Sequence, residues 1–333
     1  MTWSWDEMIE AFRALGGTAD NIVQRQGALG RGIFPADGGK PIRLLVPKNL
    51  LIPVDDIEFV DHRLKIRDST IVGEPERNFC EKYENIFSWG GEGRADSVAF
   101  ITALDGLPAE VRSELSAAFS KFESGAGDSN YRAQRWFLHS RMIHREGKFY
   151  VMPIMELVNH DPSARTYDLK EGVAIEGTFS GEVFVRYSLQ DPFGMFRTFG
   201  FASPEPMAFS MPMTEGDHPR LVINTDYNFN FKRGSFYVPE FKLDGDALTL
   251  SCMMIGNSRF PRFSRGAFNA VMREAGQPNS NEMFDLILHR NRSRHHRLLA
   301  ALEPYDGELI RTLRKAVRLQ LEAMSHCIGA REL

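Results

Sequence analysis

Long apolar runs and clustered cysteines are both missing from this sequence. No hydrophobic stretch approaches the ~20 residues that a membrane-spanning helix needs, and the start, Met-Thr-Trp-Ser-Trp-Asp-Glu, does not have the pattern of a signal peptide. The three cysteines, Cys80, Cys252 and Cys327, lie far apart, which excludes a dense disulfide framework and a cysteine-cluster zinc site. These absences predict a cytoplasmic protein that has no membrane partner.

An excess of positive charge is missing as well. The 333 residues carry a net charge of −4, and 43% of them are hydrophobic and 25% charged, a balance typical of globular proteins. One basic stretch, HRNRSRHHR at 289–297, lacks the interleaved aromatic residues of a nucleic-acid-binding surface. We interpret this stretch as a solvated helix face or a contact for an acidic partner, and we predict no nucleic-acid partner.

Motifs that bind dinucleotides, phosphates or metals are not found. The glycines at 27, 30 and 32 do not have the G-x-G-x-x-G spacing, and the glycine-rich stretch 88–94 lacks the Lys-Ser/Thr of a phosphate loop. No second histidine or carboxylate pair lies near His160 at ligand spacing. The sequence therefore predicts no metal centre.

Helical periodicity is present near both ends and in the middle of the chain. It predicts an amphipathic helix over 4–16, a helix that begins at Leu107-Pro108, an apolar helix over 132–144 and a long amphipathic helix after Asp306. A hairpin is predicted within 236–253. Residues from about 55 to 135 interrupt the strand-like pattern, and we interpret them as an insert.

The stretch 148–203 contains the most informative residues. An apolar segment ends abruptly at Asn159-His160-Asp161-Pro162, which is typical of a buried strand or short helix. Alternating apolar residues then predict two strands around a Ser180-Gly181 turn, forming a hairpin that directs the Tyr187 side chain towards the interior. A buried tyrosine hydroxyl usually finds a polar partner, so we expect a polar pocket at the end of this strand.

VNHD at 158–161, GEVFVRY at 181–187 and FGFA at 199–202 together resemble the closing half of a SET domain. The similarity is to the Rubisco large-subunit methyltransferase-like branch, and ALGRG at 28–32 followed by a strand ending in Val-Pro resembles its N-terminal block. This resemblance implies an α+β fold of several small β-sheets with a helical insert. It also implies a SET domain over 1–203 and a mainly helical, substrate-binding-like C-terminal domain over 204–333.

The resemblance further implies a site for S-adenosylmethionine, with S-adenosylhomocysteine as product and no metal. Residues 29–32 would contact the cofactor through their backbone, Arg141 would pair with its methionine carboxylate, and Asn159 and His160 would hold its amino group and adenine. The cofactor-binding residues implied are Leu29, Gly30, Arg31, Gly32, Arg141, Asn159, His160 and Phe201. Two readings stay open beside these, namely a plain tight turn at the glycines and an arginine that only extends from a helix end.

Tyr187 is the catalytic residue that the resemblance implies, placed between the acceptor nitrogen and the sulfonium methyl, while Tyr167 and Phe199 would line the substrate channel. A purely structural tyrosine is the alternative. For this placement we expect a Tyr187 phenol shielded from bulk solvent, and Asn159-His160 close to the glycine turn.

The function implied is methylation of a lysine side chain, or of histidine, in a protein or peptide substrate. Phe199 replaces the usual Tyr of Tyr-Gly-Phe, and Pro192-Phe193 stands where a Ser-Asn pair is expected. These departures leave two alternatives open, a SET-fold protein-binding module with little or no activity and a methyltransferase of a small molecule.

Overall fold

The structure is a computed structural model that describes residues 3–115, 128–215, 220–223, 238–245, 247–277 and 280–327. By its internal contacts the chain divides into two compact units, Met1–Thr102 with Gly127–Ser188 and Ala103–Ala126 with Leu189–Leu333. Within the described residues, no helix is both long enough and apolar enough to cross a bilayer. Helices and several small sheets occur together, which confirms the predicted α+β class.

The first unit begins with helix α1 (Trp5–Ala14), as the sequence predicts. Ser4 and Glu7 form a reciprocal capping box, in which the Glu7 backbone N–H donates to Ser4 Oγ at 3.2 Å and the Ser4 N–H donates to Glu7 Oε2 at 2.8 Å. Met8 and Phe12 on one face of α1 are fully buried in the core. Hydrophobic burial on this face therefore fixes the helix against the sheets.

The strands described in the first unit are short. They are β1 (Thr18–Asp20), β2 (Ile22–Gly27), β3 (Gly30–Pro35), β4 (Ile42–Pro47), β5 (Ile52–Pro53), β6 (Ile57–Val60), β7 (Arg63–Ile66), β8 (Met142–Arg145), β9 (Lys148–Val151), β10 (Asn159–His160), β11 (Gly172–Gly177) and β12 (Phe184–Val185). They form the sheets β1-β4-β11 and β5-β9-β8 and the pairs β2-β3, β6-β7 and β10-β12. This set matches the predicted architecture of several small sheets.

The predicted insert opens with the β6-β7 hairpin and is helical after it. Its helices are α2 (Glu74–Ile86), a π-helical turn (Trp89–Gly93), α3 (Arg94–Asp105), the helical residues 109–115 and α4 (Ser129–Arg141). Val111 and Leu115 are buried, as the helical spacing predicts, while the remaining apolar positions of that helix lie outside the described residues. The apolar helix predicted over 132–144 is too long, because its last three residues belong to β8.

The hairpin predicted around Ser180-Gly181 is wrong. β11 pairs antiparallel with β4, with Val173 opposite Val46, and β12 pairs parallel with β10. The segment between them joins another strand, since the Val183 N–H donates to the Ile33 carbonyl in β3 at 2.8 Å. Alternation of apolar residues identifies strands correctly here, but it contains no information about which strands pair.

The second unit combines short strands with long helices. Its strands are β13 (Met207–Phe209), β14 (Met213–Glu215), β15 (Arg220–Ile223), β16 (Phe241–Asp244), β17 (Ala247–Leu250) and β18 (Met254–Asn257), and its helices are α5 (Pro192–Phe199), α6 (Phe263–Glu274), α7 (Ser280–Leu302) and α8 (Glu308–Ser325). β16 and β17 are the predicted hairpin, and they extend a sheet of order β14-β15-β17-β16. α8 confirms the predicted long helix, with Leu313 and Val317 fully buried.

A buried hydrogen-bond network at Asp191 starts the second unit. Asp191 accepts from the N–H of Gly194 at 2.6 Å, from the N–H of Phe209 at 2.9 Å and from Gln320 Nε2 at 2.6 Å. The first of these bonds caps α5, in which Pro192 occupies a first-turn position where no N–H is required. This network ties the start of α5 to β13 and α8, and the second compact unit accordingly begins at Leu189. The boundary that the sequence predicts after residue 203 stays a prediction.

The basic run at 289–297 is helical, and several of its charges are used within the second unit. Arg290 forms an ion pair with the buried Glu215 at 2.9 Å, and Arg297 forms one with Glu114 at 3.3 Å. His295 is fully buried, and burial lowers its pKa to about 4, so its ring is neutral near pH 7. The run is therefore partly structural rather than a continuous exposed basic surface.

Candidate functional site

The predicted Asn159-His160 dipeptide is held against the strand that leads to Tyr187. It forms β10, which runs parallel to β12 with His160 opposite Val185. The Asp161 N–H extends the pairing by donating to the Val185 carbonyl at 3.1 Å. Residues more than 20 positions apart in the chain therefore meet at one place in the first unit.

The Asn159 side chain joins the glycine turn to Glu182. Its Nδ2 group donates to the Arg31 carbonyl at 3.1 Å and to Glu182 Oε1 at 2.5 Å. A Cβ atom at Gly32 would lie only 2.2 Å from that Glu182 oxygen, so a glycine is required for this close approach. The structure thus brings Asn159 next to the glycine turn, as we expected from the sequence.

The turn between β2 and β3 exposes backbone at its tip. Gly30 has a φ of 96°, a left-handed conformation that favours glycine, and no described atom lies within 4 Å of where its Cβ would be. The Leu29 side chain beside it is 62% exposed. This geometry leaves room for a ligand against the backbone at 29–30, and the predicted backbone contacts stay a prediction.

The Arg31 side chain connects this turn to the glycine-rich stretch of the insert. Its Nη1 group donates to the Phe87 carbonyl at 2.7 Å, and its Nε group lies 3.0 Å from Glu92 Oε2. A Cβ atom at Gly91 would approach the guanidinium at 3.6 Å. The sequence offered a role only for the Arg31 backbone, and the structure adds this anchoring role for its side chain.

His160 is a buried hydrogen-bond acceptor. Its Nδ1 atom accepts from the Tyr187 N–H at 3.2 Å, and the two rings lie 5.2 Å apart between centroids. Within the described part of the chain, no group of three or more His, Cys, Asp or Glu side chains could hold a metal ion. The His160 ring therefore positions the Tyr187 backbone.

The Tyr187 side chain is half-buried and packs against the core of the first unit. Its hydroxyl donates to the Val158 carbonyl at 2.8 Å, and its ring packs against the buried hydrophobic cluster. Burial raises the pKa of Tyr187 above its ordinary value; the Arg141 charge opposes this shift, and Glu156 and Glu182 add to it. The phenol therefore stays protonated near neutral pH and is a hydrogen-bond donor.

The Tyr167 hydroxyl is buried close to Tyr187. Burial raises its pKa most, and the nearby Tyr187 and Glu156 raise it further. Among the described residues, no hydrogen-bond partner reaches this hydroxyl. A buried hydroxyl without a partner is costly, and it is what a ligand-binding position would leave open.

Arg141 ends α4 with its guanidinium held on three sides. Its Nε group forms an ion pair with Glu156 Oε2 at 3.4 Å, its Nη1 group donates to Ser140 Oγ at 2.9 Å, and the Phe137 ring lies 4.4 Å from the guanidinium carbon. Within the described residues, Nη2 donates no hydrogen bond, whereas Nη1 and Nε have the partners just named. This group is geometrically suited to bind a second carboxylate.

An acidic cluster that the sequence did not reveal lies behind Arg141. Glu156 is 4% exposed and accepts from the Tyr83 hydroxyl at 2.9 Å, while Glu84 is 1% exposed. Burial and the nearby Glu156 charge raise the pKa of Glu84 well above its ordinary value. Its surroundings therefore favour the protonated form of Glu84, and the Glu156 carboxylate is the one that contacts Arg141.

The backbone before Glu156 is strained. Ile154 has φ 68° and ψ −47°, and the Met155 N–H donates to the Pro153 carbonyl at 2.8 Å, which is a γ-turn. Such conformations are rare for β-branched residues and persist where surrounding structure enforces them, often at functional sites. The turn directs Glu156 back towards α2 and α4.

Phe199 and Phe201 lie in the second unit. Phe199 is the last residue of α5, and its ring stacks on that of Phe201 with centroids 5.9 Å apart. Their roles in a substrate channel and a cofactor site stay predictions. The Pro192-Phe193 departure has a local explanation, because both residues belong to the buried first turn of α5.

Residues that the sequence interpretation missed had weak signals. Glu182 is visible only as one acidic residue beside a glycine at the start of an apolar strand, and Glu156 as a lone charge in the apolar run before Asn159. Tyr83 and Glu84 had no signal beyond helical spacing. Their importance arises from contacts across about 70 residues of chain, which pattern alone does not reveal.

The sequence matches no model of a known protein family and no curated protein. Several solved structures are similar to this chain, including two of LSMT. One is a crystal structure of the SET domain of LSMT bound to lysine and AdoHcy. Its sequence is 12% identical to this one, the TM-score is 0.43, and the alignment covers 98% of this chain and 90% of that chain. A structure of Rubisco LSMT bound to AdoMet is 12% identical with a TM-score of 0.47, covering 99% and 92%.

Proposed function

We propose that this protein is a SET-type N-methyltransferase that transfers a methyl group from S-adenosylmethionine to a lysine side chain of a protein or peptide. The observation that carries the proposal is the Asn159 amide, which bonds to both the glycine turn and Glu182. This contact joins the blocks that resemble a SET domain, and the same segment leads to the half-buried Tyr187 side chain. The sequence resemblance and the local geometry therefore support one site.

The residues of the first unit fit S-adenosylmethionine. Arg141 has an Nη2 group to offer a carboxylate, the open backbone at Gly30 allows close approach, and the Tyr167 hydroxyl is buried without a partner among the described residues. Asn159 and His160 would hold the amino group and adenine of the cofactor. When bound, the cofactor supplies an electrophilic methyl group on a sulfonium.

For methyl transfer, the protein must bind the substrate lysine with its amine in the neutral form. Lysine has an ordinary pKa of ~10.4, so its ammonium must release a proton to solvent water before the nitrogen can attack. A channel lined by aromatic rings disfavours the charged form, and we propose Tyr167 for this lining. Tyr187 cannot act as the base near neutral pH because burial keeps its phenol protonated. We propose that Tyr187 instead aligns the acceptor nitrogen, since alignment alone can lower a barrier by up to ~7–11 kcal/mol.

The acceptor is a lysine in this proposal, with histidine as the alternative, and residues 204–333 are proposed to bind the substrate protein. The Pro192-Phe193 departure favoured a binding module without activity, but those residues are accounted for by the start of α5. Tyr187 and the residues around it are present, which supports an enzyme. Methylation of a small molecule would be revealed by the same assay.

The test is transfer of radiolabelled methyl groups from S-adenosylmethionine to proteins of a cell extract. We expect labelled protein with the wild type and a fall to background with Tyr187→Phe. Tyr131→Phe is the matched control, because Tyr131 lies in the same unit and is 50% exposed. Equal labelling by wild type and Tyr187→Phe would remove Tyr187 from the mechanism.

Two further outcomes separate the alternatives. Label found only in small molecules would indicate a different substrate class. If calorimetry detects no binding of S-adenosylhomocysteine to the wild type, the proposed activity is wrong and the binding module is favoured.

A further inference from the structure

Tyr83 connects the insert to the centre of the first unit. It lies on α2, is fully buried, and donates its hydroxyl proton to Glu156 Oε1 at 2.9 Å. Its ring is stacked between those of Phe79 and Phe87, with centroid distances of 6.4 Å and 6.2 Å. The aromatic stack fixes the ring, so the position of the hydroxyl oxygen is fixed too.

Glu156 passes this constraint to Arg141. Its two carboxylate oxygens have different partners, with Oε1 accepting from Tyr83 and Oε2 paired with Arg141 Nε. Since the carboxylate is almost entirely buried, water cannot readily replace the tyrosine hydroxyl as a donor. Losing that donor would free the carboxylate to turn, and the guanidinium with it.

We propose that Tyr83 is a positioning residue for the amino-acid end of the cofactor. Through Glu156 it holds the Arg141 guanidinium in the plane that presents Nη2 to a carboxylate. The inference rests on the proposed function, in which Arg141 binds the methionine carboxylate of S-adenosylmethionine. It assigns to the insert a part in cofactor selection that acts only on ligands with that carboxylate.

Two nucleosides separate positioning from general structural support. S-adenosylhomocysteine contains the amino-acid end, whereas 5′-methylthioadenosine contains the same nucleoside and sulfur without the α-amino and α-carboxylate groups. A residue that acts through Arg141 affects binding of the first ligand alone. A residue that merely supports the fold affects binding of both.

The experiment is calorimetric titration of the full chain with each nucleoside, for the wild type, Tyr83→Phe and the control Tyr131→Phe. Tyr83→Phe retains the ring and its stacking and removes only the hydroxyl. We expect affinity for S-adenosylhomocysteine to fall by about tenfold, the scale of one lost hydrogen bond to a charged group. Affinity for 5′-methylthioadenosine should stay within about twofold, and Tyr131→Phe should change neither.

Unchanged affinity for S-adenosylhomocysteine in Tyr83→Phe, or an equal fall for both nucleosides, would overturn the inference. Glu156→Gln, which keeps the side-chain shape, must show the same selective loss, and it replaces Tyr83→Phe if that variant does not fold. A wild type that binds neither nucleoside would refute the proposed function itself. A wild type that binds both, with a selective loss in Arg141→Gln but none in Tyr83→Phe, would retain the function and refute only the role of Tyr83.

Discussion

Replacing Gly32 by alanine tests the contact on which the proposed site depends. The backbone at Gly32 is not left-handed, so alanine is compatible with its conformation. The added Cβ would nevertheless lie 2.2 Å from Glu182 Oε1 and 3.1 Å from Asn159 Nδ2. Non-bonded atoms do not coexist at the first of these distances, so the Glu182 carboxylate must move.

The size of the effect follows from the bond that this movement breaks. The Glu182 carboxylate accepts from Asn159 Nδ2 at 2.5 Å, and a hydrogen bond to a charged group contributes about 1.5–3 kcal/mol. Alanine also lowers the conformational entropy of the unfolded chain, which offsets about 0.4–1 kcal/mol of the lost stability. The expected net loss in the free energy of unfolding is about 1–2 kcal/mol, or a fall in Tm of about 2–8 °C for a unit of this size.

Thermal unfolding followed by circular dichroism measures this loss, and Gly181→Ala is the matched control. No described atom lies within 4 Å of a Cβ at Gly181, so the control should change Tm by less than about 2 °C. In a Glu182→Ala background the cost of Gly32→Ala should largely disappear, because the clashing carboxylate is gone. Equal costs of Gly32→Ala in both backgrounds, or equal Tm values for Gly32→Ala and Gly181→Ala, would refute the reasoning.

Two further predictions concern buried acids. Burial raises the pKa of Glu84, so stability from this group is fully present below its ordinary pKa of about 4.3 and is lost as pH rises towards the raised value. Since glutamine does not titrate, the Tm of Glu84→Gln minus that of wild type should increase as pH rises above the ordinary pKa of about 4.3, and a constant difference would contradict this. Asp191→Ala leaves three buried N–H donors without their acceptor, and it should cost about 3 kcal/mol or more in urea unfolding of the second unit. The exposed Asp244→Ala is its control, and similar midpoints for the two variants would show that the network contributes little.

Local signals were sufficient for individual elements. The helical spacing of apolar residues over 4–16 predicted α1, and Leu313 and Val317 belong to the apolar stripe that predicted α8. Both predictions depend on interactions within one or two helical turns, which the sequence order expresses directly. For the same reason the hairpin of β16 and β17 was predictable.

Pairing across long separations was not predictable in this way. The strand signals at β11 and β12 were correct, but their partners are β4 and β10. Tyr83 and Glu156, 73 residues apart, meet through a hydrogen bond between an insert helix and a strained turn. The predicted meeting of Asn159 with the glycine turn came from the order of blocks that resemble a SET domain, and not from local pattern.

The sequence by itself determined where helices and strands occur, which side chains they bury, and which residues can donate, accept or titrate. Only the tertiary structure decided the state of those residues. It placed Glu182 against Gly32, gave Arg141 a buried carboxylate partner and raised the pKa of Glu84. The physical reason is the separation along the chain over which each interaction acts. Propensity and capping act within a few residues. Close packing, desolvation and charge pairing depend on neighbours that folding brings from distant parts of the chain.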